Sequence, residues 1–484
     1  MTFASAFALF RCAIIAAGKG ETVDEKITDG VADATLRGAT AFQQLCWLAA
    51  GRIDSGSLTA SYRAAIARDD GALGAYVDLD ERAPEAAAAS AARRREGRTI
   101  GRLDGLAVAV KDNLDVAGLA TRAGFGGARA PAARDATAVA RLRAAGAIIL
   151  GKTALDEAAL GTTTASPHGP ATHHPLRPGF TAGGSSGGSA VAVAAGLASF
   201  ALGSDTLGSV RIPASHCGIV GLKPTFGEIS TSGMLRGARR LDCVGILARS
   251  VQDIAIAMQV LGGFDAADPR SRRRRVPLAT PDWEPGRLRA GFVRDLDALG
   301  VDVAVREVFL GAVASLGAEL GEHHAVDFSD WDFARARRAA LLVMESELAG
   351  ELGDDRTPSP RLRAMLDYAR GKSAVDYANA DRVIDAGIVK ARAVFADVDV
   401  LVLPTVPHGP YPLDVGERAN DADLTSFASL AGCPAISLPM GRLPDGFPVG
   451  MQLVGAPGSD LRLLELAEIC AATLDATPDY PLRA

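Results

Sequence analysis

Three islands of the sequence hold groups that could do chemistry. The first is Val108-Ala109-Val110-Lys111-Asp112-Asn113, a lysine at the end of an apolar run. Burial disfavours the charged form of a lysine and lowers its pKa, so such a residue can act as a base near neutral pH. The plain alternative is a lysine that ends a strand and reaches solvent. The second island is Ala182-Gly183-Gly184-Ser185-Ser186-Gly187-Gly188-Ser189. Its four glycines let the backbone turn tightly and approach another group closely. An apolar helix directly after it would aim free N–H groups and a positive dipole end at the loop. The third is Gly203-Ser204-Asp205-Thr206-Leu207-Gly208-Ser209-Val210-Arg211-Ile212-Pro213. Ser209 follows a small-residue turn and has an acid and an arginine on either side. Successive N–H groups from Thr206 through Leu207 and Gly208 to Ser209 could form a nest of the kind an oxyanion needs. Asp205 and Arg211 could pair and brace this loop; otherwise they are an ordinary surface ion pair of little energetic value.

Elements must position these islands. Leu106 to Val110 reads as a short buried strand whose tip delivers Lys111. Thr137 to Ala145 reads as a helix and Ala147 to Leu150 as a strand, an alternation that argues for a sheet with crossover helices. The stretch 161–188 is rich in Gly, Pro, Thr and Ser, and long loops of this kind tend to carry function. A helix is expected from Ser189 to about Leu202, then a loop from Gly203 to Pro213 and a strand from Gly218 to Leu222. Upstream, Asp24 to Arg68 and 81–100 read as helical. Residues 265–285, with the run Arg272 to Arg275, break the pattern as a solvated loop. The segment from about 290 to 395 reads as mostly helical, a variable cap over the sheet. Val398 to Leu403, closed by Pro404, Pro434 to Leu438 and Val449 to Val454 read as strands, and Leu461 to Leu474 as a terminal helix.

Composition sets limits. The chain has 484 residues, 48% of them apolar, enough for a large buried core. A net charge of −6 argues against a general nucleic-acid binder, which needs a basic face. The six cysteines are scattered, with no CxxC pair, which fits a reducing compartment and cytoplasmic localisation. The first twenty residues are apolar, but Arg11 interrupts them and no basic start precedes them, unlike a signal peptide. No later segment reaches the ~18–20 unbroken apolar residues of a membrane span.

Taken in order and at this spacing, the three islands resemble the amidase signature family. The resemblance extends through Ile219-Val220-Gly221-Leu222-Lys223-Pro224-Thr225 and Leu241-Asp242-Cys243-Val244-Gly245-Ile246-Leu247-Ala248-Arg249-Ser250. It returns in Leu403-Pro404-Thr405 and in Ala431-Gly432-Cys433-Pro434-Ala435-Ile436-Ser437. It implies an α/β fold: one large domain, with a mixed central β-sheet flanked by helices on both faces. That domain would span 41–484, with a helical variable cap at about 265–395 and a loosely docked extension over 1–40. The resemblance also implies a Ser–Ser–Lys triad, with Ser209 as nucleophile, Ser185 on a cis peptide as bridge and Lys111 as base. Thr206, Leu207 and Gly208 would help to bind the oxyanion. It implies neither metal nor organic cofactor. The family usually has Gly where this chain has Leu207; with negative φ, the leucine simply sets an apolar side chain beside the acyl pocket.

The expected activity is hydrolysis of a carboxamide C–N bond, with a small-molecule amide as partner, no nucleic acid, no membrane and a homodimer left open. The alternative within the family is the glutamine-hydrolysing subunit of a tRNA-dependent amidotransferase. A catalytically inactive binding protein is a more distant one. Gly184-x-Ser186-x-Gly188 also fits the nucleophile elbow of α/β-hydrolases, but that motif needs a strand directly before it. Here Pro178-Gly179-Phe180-Thr181 precedes and reads as loop.

Overall fold

The computed structural model describes residues 33–272, 287–352, 356–475, 480 and 482. Residues 1–32, most of the expected N-terminal extension, and three of the four arginines of the 272–275 run lie outside the described residues. Short runs, most of them of β-branched and aliphatic residues, form thirteen strands among the described residues. They are β1 (Tyr76–Leu79), β2 (Ala107–Lys111), β3 (Ile148–Thr153), β4 (His173–His174), β5 (Arg177–Thr181), β6 (Phe200–Asp205), β7 (Val220–Lys223), β8 (Cys243–Ala248), β9 (Arg289–Val293), β10 (Glu322–Val326), β11 (Val400–Pro404), β12 (Ala435–Arg442) and β13 (Pro448–Gly455). Eleven of them form one sheet in the order β1-β3-β2-β6-β8-β7-β12-β13-β11-β9-β10, while β4 and β5 make a separate hairpin. The sheet is mixed. β2 runs parallel to both β3 and β6, and β8 pairs antiparallel with β6 and β7.

Every residue of β2, β3, β6, β7, β8, β11 and β13 is buried. Strands covered on both faces read as unbroken apolar runs rather than alternating ones. That ambiguity explains the main departures from expectation. The helix expected from Ser189 to Leu202 covers Gly187–Ala194. Gly196, at φ +65°, turns the chain back, and the rest of the apolar run becomes β6. Length and periodicity do not separate a buried helix from a buried strand in such a stretch. The expected loop from Gly203 to Pro213 is therefore the end of β6, a tight turn and the first half of the short helix Arg211–His216. Strand β8 has no counterpart among the expected elements. Phe180 and its neighbours, expected as loop, lie in β5.

The segment 290–395 is mostly helical, as expected, but it also contributes β9 and β10 to one edge of the central sheet. Its helix Phe333–Glu351 packs against Pro360–Arg370, Ala374–Asp397 and Asp423–Leu430. A second apolar cluster forms there, in which Ala340, Val343, Leu348 and Leu366 join Leu207 and Ile212 from the turn after β6. Among the described residues no helix is long and apolar enough to cross a membrane.

The strand that carries Lys111 depends on close backbone packing beside it. A Cβ on Gly151 of β3 would lie 2.2 Å from the backbone oxygen of Asp78 in β1. Gly151→Ala is therefore expected to lower unfolding stability by about 1–3 kcal/mol, the usual cost of overpacking. Urea denaturation of the two chains would read this directly; an unchanged midpoint would show that β1 can move aside at no cost.

Candidate active site

Strand β2 ends inside the protein. Lys111 is its last residue and is fully buried. Its Nζ lies 2.8 Å from Ser185 Oγ and 2.9 Å from Ser204 Oγ. Burial pulls the lysine down to about 7, although the negative charges of Asp156, Asp205 and Asp242 work the other way. An amine in this state is half neutral at ordinary pH, which is what a base requires. Asn113 Nδ2 donates to Ser204 Oγ at 3.0 Å, so Asn113 and Ser204 together brace the amine.

The Gly/Ser loop delivers Ser185 to this amine. Its peptide bond to Gly184 is cis. Close packing holds the loop: a Cβ on Gly184 would meet Asp156 Oδ2 at 2.3 Å, and one on Gly188 would meet Ala154 N at 2.5 Å. Ser186 donates its N–H to the Ser209 carbonyl at 3.1 Å, which ties this loop to the third island. The Ser186 hydroxyl donates to the Ser204 carbonyl at 3.2 Å. Ser186 is thus turned inward, away from the exposed position a nucleophile elbow demands, although a strand does precede it.

The turn after β6 is organised by one carboxylate. Asp205 Oδ1 accepts the Gly208 N–H at 2.8 Å, and Oδ2 accepts the Val210 N–H at 3.2 Å. The Arg211 guanidinium grips both oxygens, each at 3.0 Å. Arg211 also donates to the Thr425 carbonyl, to Gln452 Oε1 and to Ser429 Oγ. Both partners of this pair are fully buried, so it is no surface pair. Burial alone would push the Asp205 carboxyl up; the Arg211 guanidinium outweighs it and holds the group below its usual range. Leu207 keeps a negative φ and lies buried beside the pocket. Thr206 donates its hydroxyl to Asp242 Oδ1 at 2.6 Å. Among the described residues the N–H groups of Thr206, Leu207 and Ser209 meet no protein acceptor.

Ser209 faces a cavity of about 230 Å³. Leu207, Ile212, Leu341, Met344 and Met365 form its apolar wall, and Arg337, Arg361, Glu417 and Asp421 its polar one. Arg361 pairs with Glu417 at 2.5 Å, and Arg337 with Asp423 at 2.7 Å. Burial, helped by the nearby Asp156, raises Glu417 to about 7 against the pull of Arg361. Asp421 lies 2.7 Å from His408 and accepts hydroxyl bonds from Tyr411 and Thr162.

The structure thus brings Lys111 and Ser185 into hydrogen-bond distance and sets Ser209 at the pocket. Among the described residues Ser209 reaches the Gly/Ser loop through its backbone, and no hydrogen bond joins its hydroxyl to Ser185. The sequence alone gives no role to Asn113, Ser204, Asp156 or Asp242. The first two lie within the islands and Asp242 within a motif of the family; nothing in the local sequence marks Asp156.

Comparison with known proteins agrees with this geometry. The amidase family model matches residues 57–464. A glutamyl-tRNA(Gln) amidotransferase subunit of Chloroflexus aurantiacus is 35% identical, over 87% of this chain and 93% of its own. The corresponding subunit of Acidothermus cellulolyticus is 37% identical, over 88% and 92%. Among solved structures, an inhibitor-bound chain from a vestigial complex linked to the origins of an s-triazine catabolic enzyme superposes with a TM-score of 0.83. It is 31% identical and covers 92% of this chain and 100% of its own length. These relatives overturn the expected partners, a small-molecule amide with no nucleic acid. The curated relatives are named as one subunit of an assembly whose name contains a tRNA. Net charge misled here because a whole-chain sum says nothing of one face, or of what a partner protein carries. The match over most of the length, with the three islands brought together by hydrogen bonds, makes this chain a member of the amidase family.

Proposed function

We propose that this chain hydrolyses the side-chain amide of glutamine, through a Ser–Ser–Lys relay, as the amide-cleaving subunit of a tRNA-dependent amidotransferase. The observation that carries the mechanism is the buried Lys111 amine 2.8 Å from Ser185 Oγ. Neutral Lys111 takes the proton of Ser185, and Ser185 takes that of Ser209. The Ser209 oxygen bonds to the amide carbon, and the charge on the carbonyl oxygen is met by N–H groups of the turn after β6. The C–N bond then breaks, and the proton returns through Ser185 to the departing ammonia. Water releases glutamate from Ser209 in a second round, and the ammonia passes to a partner protein.

Two features support glutamine. The relatives at 35–37% identity carry the amidotransferase name over nearly their whole length. The pocket wall also offers both signs of charge, Arg337 and Arg361 beside Glu417 and Asp421, which suits an amino acid with an ammonium and a carboxylate. A second reading, an amide other than glutamine, is favoured by the superposition with the chain linked to an s-triazine catabolic enzyme.

Ammonia release from glutamine and from a panel of simple carboxamides, with and without a co-purifying partner protein, tests these readings. Ser209→Ala and Lys111→Ala are each expected to lower the rate on the order of 10⁴-fold or more. Full activity in either folded variant would remove that residue from the relay. Arg361→Gln is expected to raise KM for glutamine at least about tenfold while leaving kcat for a neutral amide intact.

The pH dependence follows from Lys111. Below about 7 the amine carries a proton and cannot accept one, so kcat/KM should climb with pH through a limb near 7. Stability moves the same way. The free lysine titrates at 10.5 and the folded one at about 7, so between these values the unfolded chain binds more protons. Folding stability therefore rises with pH across that window, and the rise should vanish in Lys111→Met. A flat pH–rate profile between 6 and 8 would contradict Lys111 as the base.

A further inference from the structure

Asp242 sits in a stretch shared with the family, Leu241 to Ser250, yet no step above uses it. It is buried at the entrance to β8, and β8 pairs with β6 such that Cys243 stands opposite Asp205. Asp242 is thus fixed directly beside the turn that ends in Ser209. Its carboxylate accepts three bonds. Oδ1 takes the Thr206 hydroxyl at 2.6 Å. Oδ2 takes the N–H groups of Gly237 at 2.8 Å and Ala238 at 3.0 Å. No guanidinium or ammonium bonds to it among the described residues. A carboxylate buried in this way is costly to keep, and one oxygen of it is spent on a single side chain of the turn.

Side chains hold that turn at three points. Asp205 and Arg211 fix its far half through the N–H groups of Gly208 and Val210. In its near half the Thr425 hydroxyl bonds the Leu207 carbonyl at 2.5 Å, and the Thr206 hydroxyl ties the first residue to Asp242. Among the described residues the N–H groups without protein acceptors, those of Thr206, Leu207 and Ser209, lie between or beside these anchors.

We propose that Asp242 is a positioning residue for the reaction: through the Thr206 hydroxyl it holds the backbone N–H groups that meet the oxyanion formed on Ser209. This rests on Ser209 as the nucleophile. Thr206→Val, which deletes only the hydroxyl, and Asp242→Asn, whose neutral amide replaces charge-assisted bonds by weaker ones, loosen the anchor at Thr206. Thr206→Ser keeps the bond.

The test uses phenylmethanesulfonyl fluoride, which needs no knowledge of the natural amide. The Ser209 oxygen bonds to sulfur, the S–F bond breaks, fluoride leaves and the serine proton passes to the relay. Charge develops on a sulfonyl oxygen where the amide oxyanion would stand. The labelling rate of the purified chain is followed by intact mass, with thermal midpoints measured alongside. Thr206→Val and Asp242→Asn are expected to label about tenfold or more slowly than the parent, and Thr206→Ser within about threefold of it. A purely structural role would lower the midpoint of the Thr206 variants without separating valine from serine in rate. Parent-like labelling of folded Thr206→Val or folded Asp242→Asn overturns the inference. Should Asp242→Asn not fold, the valine–serine contrast decides alone. Label on Ser209→Ala, or a parent that takes none, instead overturns Ser209 as nucleophile and this inference with it.

Discussion

A primary amine kept out of water is the constraint on which the site depends. Lys111 ends a strand with no exposed residue, so its charge is disfavoured by the whole sheet around it. An isolated buried ammonium would simply lose its proton and stay neutral. Three carboxylates, Asp156, Asp205 and Asp242, oppose that loss and leave the amine near the middle of the physiological range. Burial without the acids would give a permanently neutral amine that could hardly hold the proton it takes. The acids without burial would give an ordinary charged lysine. The balance requires β2 to be flanked by β3 and β6, because β6 carries Ser204 and Asp205 to the same end of the sheet.

The same arrangement explains why the turn after β6 is so heavily bonded. A buried ion pair is not in itself a source of stability, since desolvation offsets the attraction. Asp205 and Arg211 are instead joined to five further groups on three segments, so that the pair fixes a backbone shape. Removing one partner from such a pair generally costs roughly 3–5 kcal/mol, because the other is left uncompensated. Leu207 fits this frame without left-handed backbone, and its side chain joins the apolar cluster under the pocket.

The proposed site residues Lys111, Ser185, Ser209, Asp205 and Arg211 all stand out in the sequence, because each sits in a short segment shared with the family it resembles. A sheet with crossover helices is legible from the alternation of strands and helices, while its mixed character is legible only through the family resemblance. The end of the helix after Ser186 is not, since 189–205 is largely apolar and almost wholly buried, and only Gly196 marks the reversal. β8 is hidden for a related reason: it is buried on both faces, so its residues show no alternation that would mark a strand. Asp156 and the pairs Arg361–Glu417 and Arg337–Asp423 join residues far apart in sequence, and single-sequence patterns carry no information about such meetings. The partner expectation rests on net charge, a property of the sum and not of any surface.

In the proposed mechanism, the groups that break the bond and the groups that recognise its owner come from separate stretches of chain. Lys111 to Arg211 holds the proposed relay and its brace, while Arg337, Met344, Met365 and Glu417 line the facing wall. β9 and β10 stitch part of that later stretch into the edge of the sheet, far along it from β2 and β6. Replacement of side chains on the helix Phe333–Glu351 therefore leaves the amine and its hydroxyl neighbours untouched. With this layout, what the pocket accepts can change through side chains of one segment while the amine and its hydroxyl neighbours keep their places in the other.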